Sequence, residues 1–214
     1  DQSTDTCTNN FATYNSLISL QSQTYSEGNL QVATTSSGKS GGSSTIGVAS
    51  GKWYAEFKIT DSNNRTAIGI TSDPSDLDRQ NQYVGFGAYD YSYIAELGNK
   101  ANNNSESSYG SSYTQNDIIG VAVDLDNNKI YFSKNGTFQN SGDPTSGATG
   151  TGSAFNLTAS SSTPSGFYFF GAGDVASNYT GTIQANFGSP PYTISSGNTD
   201  GNGYGNFEYA VPSG

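Results

Sequence analysis

Asp117-Ile118-Ile119-Gly120-Val121-Ala122-Val123-Asp124-Leu125-Asp126-Asn127-Asn128-Lys129-Ile130-Tyr131-Phe132-Ser133-Lys134-Asn135-Gly136-Thr137-Phe138 reads as a β-hairpin. Ile119, Val121, Val123 and Leu125 alternate with Gly120, Ala122 and Asp124, and a period of two sets the four apolar side chains on one sheet face. Asn127-Asn128 supplies the expected two-residue primed turn, because Asn tolerates positive φ better than any residue but Gly. Residues 129–133 resume an extended run, and Asn135-Gly136 closes the unit.

Working outward, residues 52–60 alternate as cleanly: Trp53, Ala55, Phe57 and Ile59 on one face, Tyr54, Glu56 and Lys58 on the other. Further strands are expected at 29–34, 45–48, 67–71, 166–171 and 182–188, with two short ones in the Tyr-rich segment 83–97 around Asp90. The Ser/Gly run 37–43 and the polar stretch 98–108 read as loops. Residues 139–165 read as a surface excursion anchored by Phe155 and Leu157, and Pro190-Pro191 ends sheet pairing. About ten strands with frequent turn signals predict an all-β antiparallel sandwich. The expected organisation is an extended N-terminal arm at 1–23, the sandwich at 24–194, and a C-terminal arm or linker to a further segment at 195–214.

Composition narrows the function. With a net charge of −10 and only eight basic residues among 214, the chain is poorly suited to nucleic acid or to anionic membranes. No run of 18 apolar residues is present, so membrane insertion is not expected. The single cysteine, Cys7, cannot form an internal disulfide. The sequence contains neither an initiator Met nor a signal peptide and is expected to be a trimmed piece of something longer.

Catalytic patterns are absent. There is no His for a Ser-His-Asp triad or a His-ligated metal. The five Glu residues, at 27, 56, 96, 106 and 208, form no paired motif that could set two carboxylates about 5–5.5 Å apart for glycoside cleavage. Asp124, Asp126 and Asn128 mimic the start of an EF-hand loop, but Lys129 replaces the required Gly and Asn135 the bidentate Glu. Asp73, Asp76 and Asp78 read as a solvated turn. Neither metal nor cofactor is expected.

Several of these segments together resemble the successive strands of a SPRY domain: Gly51-Lys52-Trp53-Tyr54-Ala55-Glu56-Phe57, Ile68-Gly69-Ile70, the hairpin 117–136, and Gln184-Ala185-Asn186-Phe187-Gly188. The resemblance implies a bent sandwich of two antiparallel sheets in the concanavalin A-like lectin/glucanase superfamily, and a binding module instead of an enzyme. The flanks Thr8-Asn9-Asn10-Phe11-Ala12-Thr13 and Asp200-Gly201-Asn202-Gly203-Tyr204-Gly205-Asn206-Phe207 resemble those of SPRY modules in structural proteins of tailed, especially marine, bacteriophages. Cys7 departs from that pattern, where a Pro is expected.

The resulting expectation is a non-enzymatic virion component, a capsid decoration or a tail or fibre part, at the virion surface. Its partners would be other virion proteins, copies of itself, or a host-surface glycan or receptor. The alternatives are a free-standing secreted or surface lectin-like or protein-binding module and, less favoured, a glycan hydrolase. Trp53, Phe57, Phe132, Phe169 and Phe187 are assigned to the core. The candidate ligand-binding residues are Tyr89, Tyr91 and Tyr93, which flank a turn where Tyr could stack on a sugar or fill a partner's pocket, with Asp76 and Arg79 nearby.

Overall fold

The computed structural model describes residues 10–18, 23–36, 39–61, 65–78 and 82–213. Cys7, Leu20 and Arg79 lie outside the described residues. In chain order the strands are β1 (Thr24–Ser26), β2 (Gln31–Ala33), β3 (Gly41–Val48), β4 (Lys52–Asp61), β5 (Thr66–Thr71), β6 (Tyr91–Ile94) and β7 (Asn99–Asn102). After these come β8 (Ser105–Ser108), β9 (Ile118–Asp124), β10 (Lys129–Lys134), β11 (Thr137–Phe138), β12 (Phe155–Asn156), β13 (Tyr168–Asp174) and β14 (Thr182–Asn186). Among the described residues all the helical turns are short 3₁₀ segments, such as Pro74–Asp78.

Two antiparallel sheets face each other. The first runs β1-β2-β14-β4-β9-β10-β11, with β12 also paired to β10, and the second runs β3-β13-β5-β6-β7-β8. The alternating apolar residues meet between them: Phe57 and Ile59 of β4, Ile119 and Val121 of β9, and Phe132 of β10 pack with Ile68 and Ile70 of β5 and Tyr168 of β13. A smaller cluster of Ala67, Tyr83, Ile94, Ala101 and Val175, with Phe86, covers the outer side of the second sheet. Lys39 lays its ammonium over the Tyr83 and Phe86 rings at 5.0 and 5.2 Å.

The hairpin at 117–138 carries its apolar face as expected, but its turn differs. Asp124 pairs with Lys129, so the loop has four residues, and only Asn128 has positive φ, at 56°. The Asp124 carboxylate organises the loop by accepting from the Asn127 backbone and side-chain nitrogens at 3.0 and 2.8 Å. Two-residue turns with both φ values positive occur instead at Asn135-Gly136, between β10 and β11, and at Asn103-Asn104, between β7 and β8.

Other boundaries are corrected by packing. Residues 98–108 form the β7–β8 hairpin, whose polarity reflects an exposed sheet edge. The Gly-Gly part of the 37–43 run belongs to β3. A Cβ on Gly41 would lie 2.6 Å from the Ala172 carbonyl oxygen and one on Gly42 3.0 Å from the Tyr25 ring, so Gly41 admits the neighbouring strand and Gly42 the rings beneath it. Only one strand, β6, follows Asp90 in the Tyr-rich segment. The excursion 139–165 is tied down by Leu157 and Phe155, and also by buried Ala154.

Candidate functional site

The tyrosines nominated as a ligand platform are placed mostly inside. Tyr91 is buried against Phe155 and Tyr168, with ring centroids 5.3 and 6.1 Å away. Tyr93 stacks on Phe132 at 5.6 Å and donates its hydroxyl to the Ser111 carbonyl. Both are core residues of β6 and cannot flank an exposed turn. Their alternate spacing is a strand's, and the large apolar ring outweighs the single hydroxyl when a backbone acceptor is at hand. Tyr89 remains half-buried in the preceding turn. Asp76 lies in the 3₁₀ turn Pro74–Asp78, whose Leu77 is buried. The three tyrosines therefore do not form one exposed surface, and Arg79 lies outside the described residues.

A different concavity is formed where β4 begins and β9 and β14 end. It is a groove of about 750 Å³ lined by Lys52, Trp53 and Tyr54 on one side and by residues of the C-terminal arm, among them Asp200, Tyr204 and Phe207, on the other. Trp53 was expected in the core and is 46% exposed. It keeps the core-face register opposite Val123, but as the second residue of β4 it sits at the sheet's end. Its indole nitrogen donates to the Ser50 carbonyl at 2.7 Å, which fixes the ring. Tyr204 is similarly open, at 48%. Phe169 likewise departs from its expected place: the register of β13 turns Tyr168 and Phe170 inward and leaves Phe169 half-buried.

The arm that walls the groove is fixed by a buried carboxylate. Glu56 is on the outward face of β4, as alternation predicts, yet it is fully buried. Its Oε2 and Oε1 accept from the backbone amides of Glu208 and Tyr209 at 2.9 and 2.8 Å. The Tyr54 hydroxyl and the Asn186 side-chain amide also donate to it, each at 3.2 Å. Burial pushes the Glu56 carboxyl above its ordinary value, and these four hydrogen bonds offset part of that push. Asn186 also donates to the Asn206 carbonyl at 2.9 Å, and Phe207 packs edge-on against Tyr54 with centroids 5.4 Å apart. Gly120 leaves the room this requires, since a Cβ there would lie 2.6 Å from the Tyr54 hydroxyl.

The arm's tip is ordered locally. Asp200 Oδ1 accepts from the Asn202 and Tyr204 amides at 2.9 and 2.8 Å, and the Asp200 amide donates to the Tyr204 carbonyl at 2.8 Å. At the arm's base, Ser195 donates its amide to Glu208 at 2.7 Å, and these bonds hold the Glu208 carboxyl below its ordinary value. The sequence assigned Trp53 to the core and nominated neither Glu56 nor Tyr204 for a site. Alternation gave the correct face for Glu56, but the cover arrives from a segment about 150 residues later.

A sandwich of two antiparallel sheets with this groove at its end has the SPRY/concanavalin A-like fold. The SPRY domain family model matches residues 52–169, more than half of the sequence, and the chain belongs to that family. It is 34% identical over 93 residues to the ATP-dependent RNA helicase DDX1 of Xenopus laevis, a match covering 44% of this chain and 12% of the helicase. The Drosophila melanogaster ATP-dependent RNA helicase Ddx1 matches equally, 34% over 93 residues, covering 43% of this chain and again 12% of its own. Thus the matched stretch spans about an eighth of these relatives. The crystal structure of the SPRY domain of human HERC1 superposes with a TM-score of 0.62 at 22% identity, covering 80% of this chain and 96% of that one.

Proposed function

We propose that this chain is a non-enzymatic protein-binding module whose recognition surface is the groove between the start of β4 and the C-terminal arm. Membership of the SPRY family carries the binding role. The groove supports this location, because concave sites of a few hundred Å³ with exposed aromatic rings and a few polar groups are the usual form of a recognition site. The partner is a polypeptide. The module sits at a virion surface as a capsid or tail component and contacts other virion proteins, its own copies, or a host receptor. That finer assignment rests on the resemblance of the flanks at 8–13 and 200–207 to those of phage SPRY modules. A second reading, a free-standing lectin-like module, is favoured by one observation: exposed Trp53 and Tyr204 rings also suit stacking on sugars.

Trp53 is the only tryptophan, so intrinsic fluorescence reports on the groove without a label. A dodecapeptide display library should yield ligands that shift Trp53 emission, and Tyr204→Ala should weaken them about tenfold, as loss of an aromatic anchor does. Peptides that bind without shifting Trp53 would move the site elsewhere. A shift produced by glycans and by no peptide would support the lectin reading. Virion location is tested by immunogold labelling of particles from the source sample, where the domain should appear on capsids or tails.

A further inference from the structure

We infer that the groove receives a polypeptide segment carrying a basic side chain, its cation set against the Trp53 and Tyr204 rings and the carboxylates of Asp126 and Asp200; this rests on the groove being the recognition surface. Charge is the first argument. Among the described residues the charged side chains lining the groove are Asp124, Asp126, Asp200 and Lys52, which leaves two negative charges in excess. The chain as a whole carries −10, so its field attracts cationic partners and repels acidic ones.

The state of each carboxylate is the second argument. Asp124 is buried, and Asn127 occupies both of its oxygens. Asp126 spends Oδ1 on the Gly51 amide at 2.8 Å, and Asp200 spends Oδ1 on its own turn. Among the described residues no hydrogen bond reaches the second oxygen of either, and neither forms an ion pair. Among the described residues no cluster of three or more His, Cys, Asp or Glu could hold a metal. An organic cation would answer both open oxygens. The exposed rings of Trp53 and Tyr204 select the same chemistry, because a guanidinium or ammonium over an aromatic face is attracted by its quadrupole, and a guanidinium can stack there while donating to a carboxylate. A neutral sugar could donate hydroxyls to these carboxylates but would leave their charge unbalanced. The groove volume of about 750 Å³ also exceeds what one small amine fills.

The test uses the dodecapeptides recovered on the whole chain, titrated by Trp53 emission. They should contain Arg or Lys. Exchanging that residue for citrulline or Gln should weaken binding about tenfold, as should Asp126→Asn or Asp200→Asn, and raising the salt should weaken the wild type more than the variants. The inference is overturned, with the function reading intact, if Tyr204→Ala abolishes binding but neutralising the basic residue or either aspartate changes affinity less than twofold. Recovered peptides that are acidic and bind the Asn variants better would also sink it. So would a dimer in sedimentation that buries Trp53. Recovery of no groove-binding peptide overturns the function reading and this inference together.

Discussion

Replacing Glu56 by Ala should release the C-terminal arm while leaving the sandwich folded. The side chain lies between the sheet and the arm, and two of its four bonds are the only ones that connect it to backbone amides of the arm, at Glu208 and Tyr209. A hydrogen bond to a charged acceptor contributes about 1.5–3 kcal/mol. Losing both amide bonds therefore costs the arm about 3 kcal/mol at the low end. At about 1.4 kcal/mol per decade this becomes a hundredfold rise in the open population. The anchors that remain, among them Phe207 on Tyr54, the Asn186 bond to the Asn206 carbonyl and the Asn206 amide on the Gly188 carbonyl at 2.9 Å, hold the arm only partly. Hydrogen exchange read by mass spectrometry should show protection at 208 and 209 falling about a hundredfold, while β9 and β10 keep theirs. Glu56→Gln should fall between, because one oxygen still accepts but the new amide group presents a donor to the other N–H. Peptide binding in the groove should weaken in the same order as the arm opens. Protection at 208 and 209 within threefold of wild type in Glu56→Ala would refute the reasoning, as would uniform loss across β9 and β10.

Two further outcomes concern stability. Burial pushes the Asp174 carboxyl up to about 7, against bonds from Thr34 and Ser40. Its folded pKa exceeds its unfolded one of about 3.9, so its contribution favours the fold at low pH and is lost as pH rises through the folded value. The loss is at most about 4 kcal/mol. Tm should therefore fall between pH 5 and pH 8, and Asp174→Asn should flatten that slope; equal slopes in the two proteins would remove Asp174 as its cause. Gly69→Ala should cost more than about 3 kcal/mol, since its Cβ would lie 1.9 Å from the Tyr91 carbonyl oxygen and force β5 from β6. A midpoint shift in urea of less than about 1 kcal/mol would show that the pair relaxes freely.

The all-β class and the core of the first sheet were legible because alternation is a local signal that burial enforces. Phe57, Ile59, Ile119, Val121 and Phe132 are each buried on the face their spacing assigns. Signals failed where the deciding partner is distant. The Asn-Asn pair at 127–128 looks locally like the one at 103–104, yet the first lies in a four-residue loop shaped by Asp124 and the second is a two-residue turn. The Tyr91 and Tyr93 spacing fits an inward face as well as a displayed one, and only the opposing Phe132, Phe155 and Tyr168 decide it. Trp53 shows the reverse error, because spacing gives a face and says nothing about how far a strand's end overhangs the sandwich.

The use of a buried acid to hold the arm follows from what an irregular segment needs. Its backbone amides must find acceptors once they leave water, and strand pairing supplies these only to a chain that runs in register with an edge. The arm crosses the outer side of β4, an interior strand whose own ladder is filled by β14 and β9. A carboxylate offers two acceptors at one point above such a strand, and Tyr54 and Asn186 brace it from the same face. The grip falls on main-chain amides, so it is indifferent to the side chains at 208 and 209. The tip at 200–204 sets its own turn through Asp200. On the arm side Phe207 and Asp200 are committed to holding the arm, while Tyr204 is exposed; the opposite wall, Lys52 to Tyr54, is committed to the sheet. On the proposed reading, substitution of Tyr204 would alter what the groove recognises without releasing the arm.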